Sequence, residues 1–337
     1  MTIPETQPTP AAAAVNAAVN VSADQVTCEL CGGRAWETAI AGVRDYISDE
    51  TFAIRRCASC GLGVTHPQVP DAAIERYYPQ RYRTDRQKYS AGTRVKLRAA
   101  AATKSFAPDF RGRLLDLGCG TGAFALEMQR RGWNTAVTEL NDAVLDDMRS
   151  RGMEAKRPDD AMRDGFAAPF DVITCWHVLE HIERPVLLAR WARANLAAGG
   201  VFQVTVPNLA SWQAKLFGRH WLHLDPPRHR YHFTPRTLAR LLGECGFEIV
   251  RSTSFAIEYD LFGVIQSAIN PLCSRPNVLF EKLTAGGQPT PHLPKRDVAL
   301  SFALSPLVGP PAVGLSLASW ATGQGGTLTV TCKARAG

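Results

Sequence analysis

With 337 residues, 45% of them apolar and 20% charged, the chain has room for two domains around a large core, which excludes a disordered protein. The net charge of +7 is concentrated between Arg81 and Arg113, where ten Lys/Arg face two Asp/Glu. Such a segment suits phosphates on a substrate, nucleic acid or an anionic membrane surface, and equally an ordinary solvated helix face. The nine cysteines include two Cys-x-x-Cys pairs; Cys119, Cys175, Cys245, Cys273 and Cys332 are scattered, which fits a reducing compartment. The N-terminus shows no basic region followed by an apolar core, so a cytoplasmic protein is expected.

Residues 1–24, rich in Ala, Pro, Thr and Asn, read as a disordered tail. Cys28, Cys31, Cys57 and Cys60, each pair followed by glycine, make two matching knuckles 25 residues apart. Two such turns supply a closed set of four thiolates that selects structural zinc; a redox dithiol is the competing reading. Between them, Trp36, Ile40, Phe52 and Ile54 suit short strands. Tyr77, Tyr78 and Tyr82 follow, either as lid residues or as glue between the knuckles and the main domain.

The apolar run Leu114–Leu117 carries Asp116 and stops at Gly118, Gly120 and Gly122, after which Phe124, Ala125 and Met128 take helical spacing. That is a buried strand, a tight turn and a helix start, with amides left to face a ligand. The next apolar stretch, Thr135–Glu139, ends on an acid suited to a ribose hydroxyl pair. With no third glycine at the dinucleotide spacing, this pattern resembles class I S-adenosylmethionine-dependent methyltransferases, whose first motif reads Asp-x-Gly-x-Gly-x-Gly. The knuckles and the tyrosine segment narrow the resemblance to a bacterial group carrying an N-terminal zinc ribbon.

The resemblance implies that the cofactor meets Asp116, Gly118, Cys119, Gly120, Gly122, Glu139 and Leu140, with Asp159 after a short third strand facing the adenine. A fourth strand, Val172–Thr174, leads into Trp176, His177 and the triplet Leu179-Glu180-His181, as in the family. Trp176 and His177 are then cofactor neighbours, and Glu180 and His181 join the catalytic candidates. His177 to His181 also spells the inverted zinc-protease pattern, but at a strand end instead of on a helix. Quinone-biosynthesis O-methyltransferases, similar here, imply a divalent metal at an acid, the Glu and the His; His177 replaces that first acid.

A helix Val186–Leu196 ending at Ala197–Gly200 is expected, then a strand Val201–Pro207. A Pro-stiffened loop crowds His223, Asp225, Arg228, His229 and His232 together, and His229 is the leading general base, since histidine titrates near 6.5. Thr234 caps a helix, Phe247–Ser252 is strand six, and Gly326–Cys332 alternates as an antiparallel seventh strand. Between these last two, Tyr259–Ile269 and Val298–Trp320 are apolar. Pro306, Gly309, Pro310 and Pro311 interrupt the second, which predicts two short helices in a re-entrant hairpin or a buried lid.

The expected fold is α/β: a doubly wound, seven-stranded, mostly parallel Rossmann-like methyltransferase sheet with a zinc ribbon and an apolar helical insertion. The divisions are a tail at 1–24, the ribbon at 25–70, a tyrosine-rich basic linker at 71–110, the core at 111–253, the insertion at 254–324 and a last strand at 325–337. The implied activity is O- or C-methylation of a small-molecule, glycosyl or lipid-linked acceptor with S-adenosylmethionine and structural zinc, with peripheral contact at the inner membrane face through 298–320. An RNA methyltransferase using the basic segment is the alternative, and a non-catalytic zinc-ribbon adaptor is the alternative from another class.

Overall fold

A computed structural model describes residues 27–78, 111–254, 256–285 and 289–335. The tail, Tyr82 and most of the basic segment lie outside the described residues. After the first knuckle come β1 (Trp36–Arg44), β2 (Thr51–Cys57), β3 (Gly63–His66) and a single helical turn, α1 (Asp71–Ile74). The core then alternates β4 (Arg113–Leu117), α2 (Ala123–Arg130), β5 (Asn134–Thr138), α3 (Asp142–Ser150), β6 (Glu154–Lys156), α4 (Pro158–Asp164), β7 (Phe170–Trp176), α5 (Pro185–Ala194) and β8 (Leu196–Pro207). It continues through α6 (Trp212–Phe217), β9 (Tyr231–His232), α7 (Pro235–Glu244) and β10 (Phe247–Thr253). Last come α8 (Ile257–Ile269), α9 (Val278–Thr284), α10 (Lys295–Ala321) and β11 (Thr327–Ala334).

The large sheet has the order β10-β11-β8-β7-β4-β5-β6, with only β11 antiparallel to its neighbours. Leu114, Leu115, Phe170, Ile173, Phe202 and Val204 are fully buried, the unbroken apolar runs required of strands covered on both faces. The chain adds β5 and β6 on one side of β4, then returns to place β7 on the other. This reversal opens a crevice beyond the carboxyl ends of β4 and β7, where ligands of such sheets bind. The glycine turn leaves β4, and the His177–His181 turn leaves β7.

Two expected boundaries are corrected. Ala197–Gly200 is not a turn ahead of the strand but part of β8, which begins at Leu196. Gly199 takes φ +78° where the β7 register shifts, and a Cβ at Gly200 would meet the Phe170 carbonyl oxygen at 3.0 Å, so the glycines form a bulge instead of a break. The apolar insertion is neither a two-helix hairpin nor a buried lid: α10 runs unbroken through Pro306, Pro310 and Pro311 and is largely exposed. Pro306, Pro310 and Pro311 are all exposed, and the helix continues past the hydrogen bonds they remove.

The small sheet, β1-β2-β3-β9, contains a strand from outside the ribbon. β9 belongs to the histidine loop of the core, yet it pairs with β3 through Gly63↔His232 and Val64↔Tyr231. The Thr65 N–H donates to the Arg230 carbonyl at 3.0 Å, and its hydroxyl donates to the His229 carbonyl at 2.6 Å. At Gly63 an added Cβ would lie 2.8 Å from His232 Cβ and 3.0 Å from its carbonyl oxygen. Gly63→Ala should therefore destabilise the protein by about 1–3 kcal/mol, the usual cost of overpacking. Urea denaturation of the variant checks this, and an unchanged midpoint would mean the seam gives way freely.

Candidate active site

The glycine turn is clamped to the end of β5. The Gly118 N–H donates to Thr138 Oγ1 at 3.0 Å, the Cys119 N–H to the Thr138 carbonyl at 2.9 Å, and the Gly120 N–H to Glu139 Oε2 at 2.8 Å. Glu139 Oε1 also accepts from the amides of Leu140 (2.7 Å) and Asn141 (3.3 Å). A carboxylate has about four acceptor positions, so three amides orient this one and leave capacity for a ligand hydroxyl. Burial raises the Glu139 pKa, and the amide hydrogen bonds and Arg157 oppose that rise. Gly120 takes φ +56°, and the space a Cβ would fill there is open to 4 Å, a cradle that lets a ligand reach the backbone.

The other expected cofactor residues are placed unevenly. Asp116 is buried within β4 and accepts from Thr174 Oγ1 at 2.7 Å, tying β4 to β7. Cys119 is half-buried, and desolvation, with the nearby Asp116 and Glu139 charges, pushes its thiol well up. Leu140 is exposed, and Asp159 is exposed in the first turn of α4, at the carboxyl end of β6. The Trp176 ring stands 4.3 Å from Phe124 of α2, and its N–H donates to Gln203 Oε1 at 3.0 Å.

The second half of the site adjoins the first, because a Cβ at Gly118 would lie 2.6 Å from Val178 Cγ2. Beyond Val178, the structure brings together all three catalytic candidates. Glu180 is fully buried, and its Oε2 has no hydrogen-bond partner. Its Oε1 lies 3.3 Å from His177 Nδ1 and 3.9 Å from His229 Nε2. The His181 and His229 rings are 4.6 Å apart. His181 Nδ1 lies 2.9 Å from the Arg228 carbonyl, and His229 Nδ1 lies 2.9 Å from the His223 carbonyl. A carbonyl only accepts, so both rings donate from Nδ1 and keep a lone pair on Nε2. Burial lowers the pKa of His181 to about 4 and also lowers that of His229, against the pull of Asp225 and Glu180. Burial raises that of Glu180. The pair is neutral at pH 7 and able to take a proton.

Sequence reasoning named His229 but missed what holds it. Arg228, only 3% exposed, donates to Asp45 (2.8 Å), to both oxygens of Asp225 (2.6 and 3.0 Å) and to the Tyr77 carbonyl, and lies over the Tyr46 ring. Burial alone would raise the Asp225 pKa; the Arg228 charge outweighs it and holds the value down to about 2. Tyr77 is glue and not a lid: it is buried, stacks edge-on against Phe52 and donates to Glu50 at 2.7 Å. Tyr78 instead reaches the site, its hydroxyl 3.4 Å from His181 Nδ1. The Pro-Pro-Arg-His run marked the loop as special, but no local signal pointed to Asp45.

The four knuckle thiols converge within 4.8 Å of one another, with Cys28 and Cys60 Sγ 3.6 Å apart and Cys31 and Cys57 Sγ 3.5 Å apart. Zinc–sulfur bonds of about 2.3 Å in a tetrahedron would set these edges near 3.8 Å. The Gly33 N–H donates to Cys31 Sγ at 3.4 Å, and a Cβ there would crowd both Cys31 and Cys57 sulfurs at 3.2 Å. The donor set and its spacing fit zinc.

A family profile described as "Methyltransferase domain" matches residues 82–252. The ubiquinone biosynthesis O-methyltransferase of Shewanella pealeana is 30% identical over 122 residues, covering 34% of this chain and 52% of that protein. Its namesake from Idiomarina loihiensis is 26% identical over 152 residues, covering 41% and 63%. The chain thus spans less than two thirds of the length of either relative. A SAM-dependent methyltransferase structure from Archaeoglobus fulgidus is 17% identical with a TM-score of 0.43, covering 71% of this chain and 94% of that one.

The buried histidines around the site give a pH dependence. Burial lowers His223 to about 4 and His232 to about 3, whereas unfolded histidine titrates near 6.5. Below that pH the unfolded chain binds more protons than the folded one, so stability is full above about 6.5 and falls as the pH drops toward 4. Each ring should cost on the order of 2 kcal/mol at pH 5. Urea midpoints at pH 7, 6 and 5 measure this, and a flat profile would mean the rings accept protons in place.

Proposed function

The chain belongs to the methyltransferase-domain family, as a class I S-adenosylmethionine-dependent methyltransferase, and we propose that it methylates an oxygen of a small-molecule acceptor. The observation that carries this reading is the contact between the two half-sites: His181, whose ring meets that of His229, lies three residues beyond Val178, which packs on the glycine turn. The names of the two relatives support oxygen as the acceptor atom over carbon.

The open face of Gly120 and the amide-oriented Glu139 fit the cofactor. Gly118 to Gly122 would pass along its amino-acid end, Glu139 would hold the ribose and Asp159 would face the adenine. Bound there, S-adenosylmethionine supplies an electrophilic methyl group. The chain's own task is to align the acceptor hydroxyl and take its proton, and alignment carries much of the rate advantage in a two-substrate transfer. His229 Nε2 takes that proton, and Glu180 and Asp225, 3.9 and 4.0 Å away, stabilise the resulting imidazolium. The adjoining His181 ring, itself held low by burial and by His229, opposes a second protonation.

Cys28, Cys31, Cys57 and Cys60 hold structural zinc in this proposal, which places the chain in the zinc-ribbon group. Zinc held by these four thiolates would brace β3 and, through its pairing with β9, the loop that carries His229. A second reading of the histidine cluster rests on one observation: ligand atoms of Glu180, His181 and His229 lie within 4.8 Å of one another around a carboxylate oxygen that lacks a partner. A divalent cation held there would make the acceptor hydroxyl more acidic and relieve His229 of the base role.

His229→Ala should lower kcat by about 10²–10⁴-fold while leaving cofactor affinity intact. Glu139→Ala should weaken cofactor binding at least about tenfold in calorimetry, the loss of one charge-assisted hydrogen bond; unchanged affinity would remove it from the site. Native mass spectrometry should find one zinc, lost in Cys57→Ser. Activity abolished by dialysis against chelator, with zinc still bound, and restored by magnesium would select the second reading.

A further inference from the structure

The helix α10 is inside out. Its buried positions are Asp297, Ser301, Ala312, Ser316 and Ser319, small or polar, whereas its large apolar side chains, Phe302, Leu307 (71% exposed), Val313, Leu317 and Trp320 (52% exposed), face outward. A helix on a water-facing surface shows the opposite pattern, with apolar residues inward. Small residues at the protein contact and large apolar residues outside are the arrangement of a helix whose solvent is lipid. Over an 18-residue stretch of the helix the mean hydropathy reaches 1.6, and no charged residue occurs between Asp297 and Lys333.

We propose that the outward face of α10 lies in the interface of an anionic bilayer. The helix cannot cross the membrane, because both of its ends are tied to one folded body. At the start, Asp297 accepts from the Ser274 N–H (2.9 Å) and hydroxyl (2.5 Å). At the end, the Gln324 carbonyl accepts from the Trp212 N–H at 3.1 Å and its side chain from Lys215 at 2.8 Å, and β11 then enters the central sheet. The prolines point the same way: the carbonyls of Phe302, Pro306 and Leu307 lack their helical donor and need the water and headgroups of an interface. The charges of the flanks set the lipid class. From Lys282 to Cys332 the charged residues are Lys282, Lys295, Arg296 and Asp297; Asp297 is buried and meets Arg296 at 3.6 Å, so the exposed charge at the start of the helix is positive.

α8 packs along α10 and carries Tyr259, whose ring stands 4.3 Å from His177. One helix therefore links the lipid-facing surface to the histidine cluster, although the proposal does not depend on the methyl-transfer reading.

The test is flotation of the full chain with vesicles of phosphatidylcholine alone and of phosphatidylcholine mixed with phosphatidylglycerol. The wild type should float with the mixed vesicles, and the Phe302→Glu/Leu317→Glu variant should bind at least about tenfold less, since two apolar side chains leave the interface. Its thermal midpoint should not change, because both side chains are exposed. Lys295→Glu/Arg296→Glu should lose the preference for phosphatidylglycerol. Three results would overturn the proposal: a wild type that never floats, an equal flotation of the Phe302/Leu317 variant, or a dimer in ultracentrifugation that this variant converts to monomer, which would assign the face to a second copy.

Discussion

One buried cation holds the site together. A guanidinium taken out of water costs several kcal/mol unless it is fully paired, and Arg228 meets that demand with Asp45, Asp225 and the Tyr77 carbonyl. These partners come from the ribbon, the histidine loop and the segment that leaves the ribbon. Satisfying a single charge thus draws three stretches of chain to one point. The Arg228 carbonyl then fixes the tautomer of His181, and the next residue is His229.

Around that point, the ribbon becomes part of the candidate site. β3 and β9 share a sheet, and Thr65 reaches both the His229 carbonyl and the His232 ring, at 2.6 and 2.9 Å. The same loop is held from below by Glu180, whose backbone carbonyl accepts from the amides of Arg230 and Tyr231. Glu180 therefore serves twice, by backbone as a brace and by side chain as the carboxyl beside two histidine rings. Glu139 has a similar double position, since the amides that orient its carboxylate include that of Gly120 in the turn it closes.

How much was legible follows the reach of each signal. Gly118, Gly120, Gly122 and Glu139 were readable because a strand, a tight turn and an acid at the next strand end are written in consecutive residues. The cysteine knuckles were readable for the same reason, as were the capped start at Thr234 and the alternating last strand. The prolines of α10 misled, because a break is their usual effect, and only the structure shows the helix continuing past them on an exposed surface. The glycines at 199 and 200 misled likewise, since a bulge and a turn use the same residue.

By itself the sequence determined the doubly wound sheet, the glycine turn with its acid, the four-thiol centre and the identity of the histidines and Glu180. These depend on period, turn chemistry and ligand spacing, all of which act over a few residues. Tertiary structure alone decided that Arg228 meets Asp45 across 183 positions, that the histidine loop lends a strand to the ribbon, and that α10 turns its apolar side outward. In each case the outcome is set by which distant segments the folded chain brings into contact, and no local pattern encodes that.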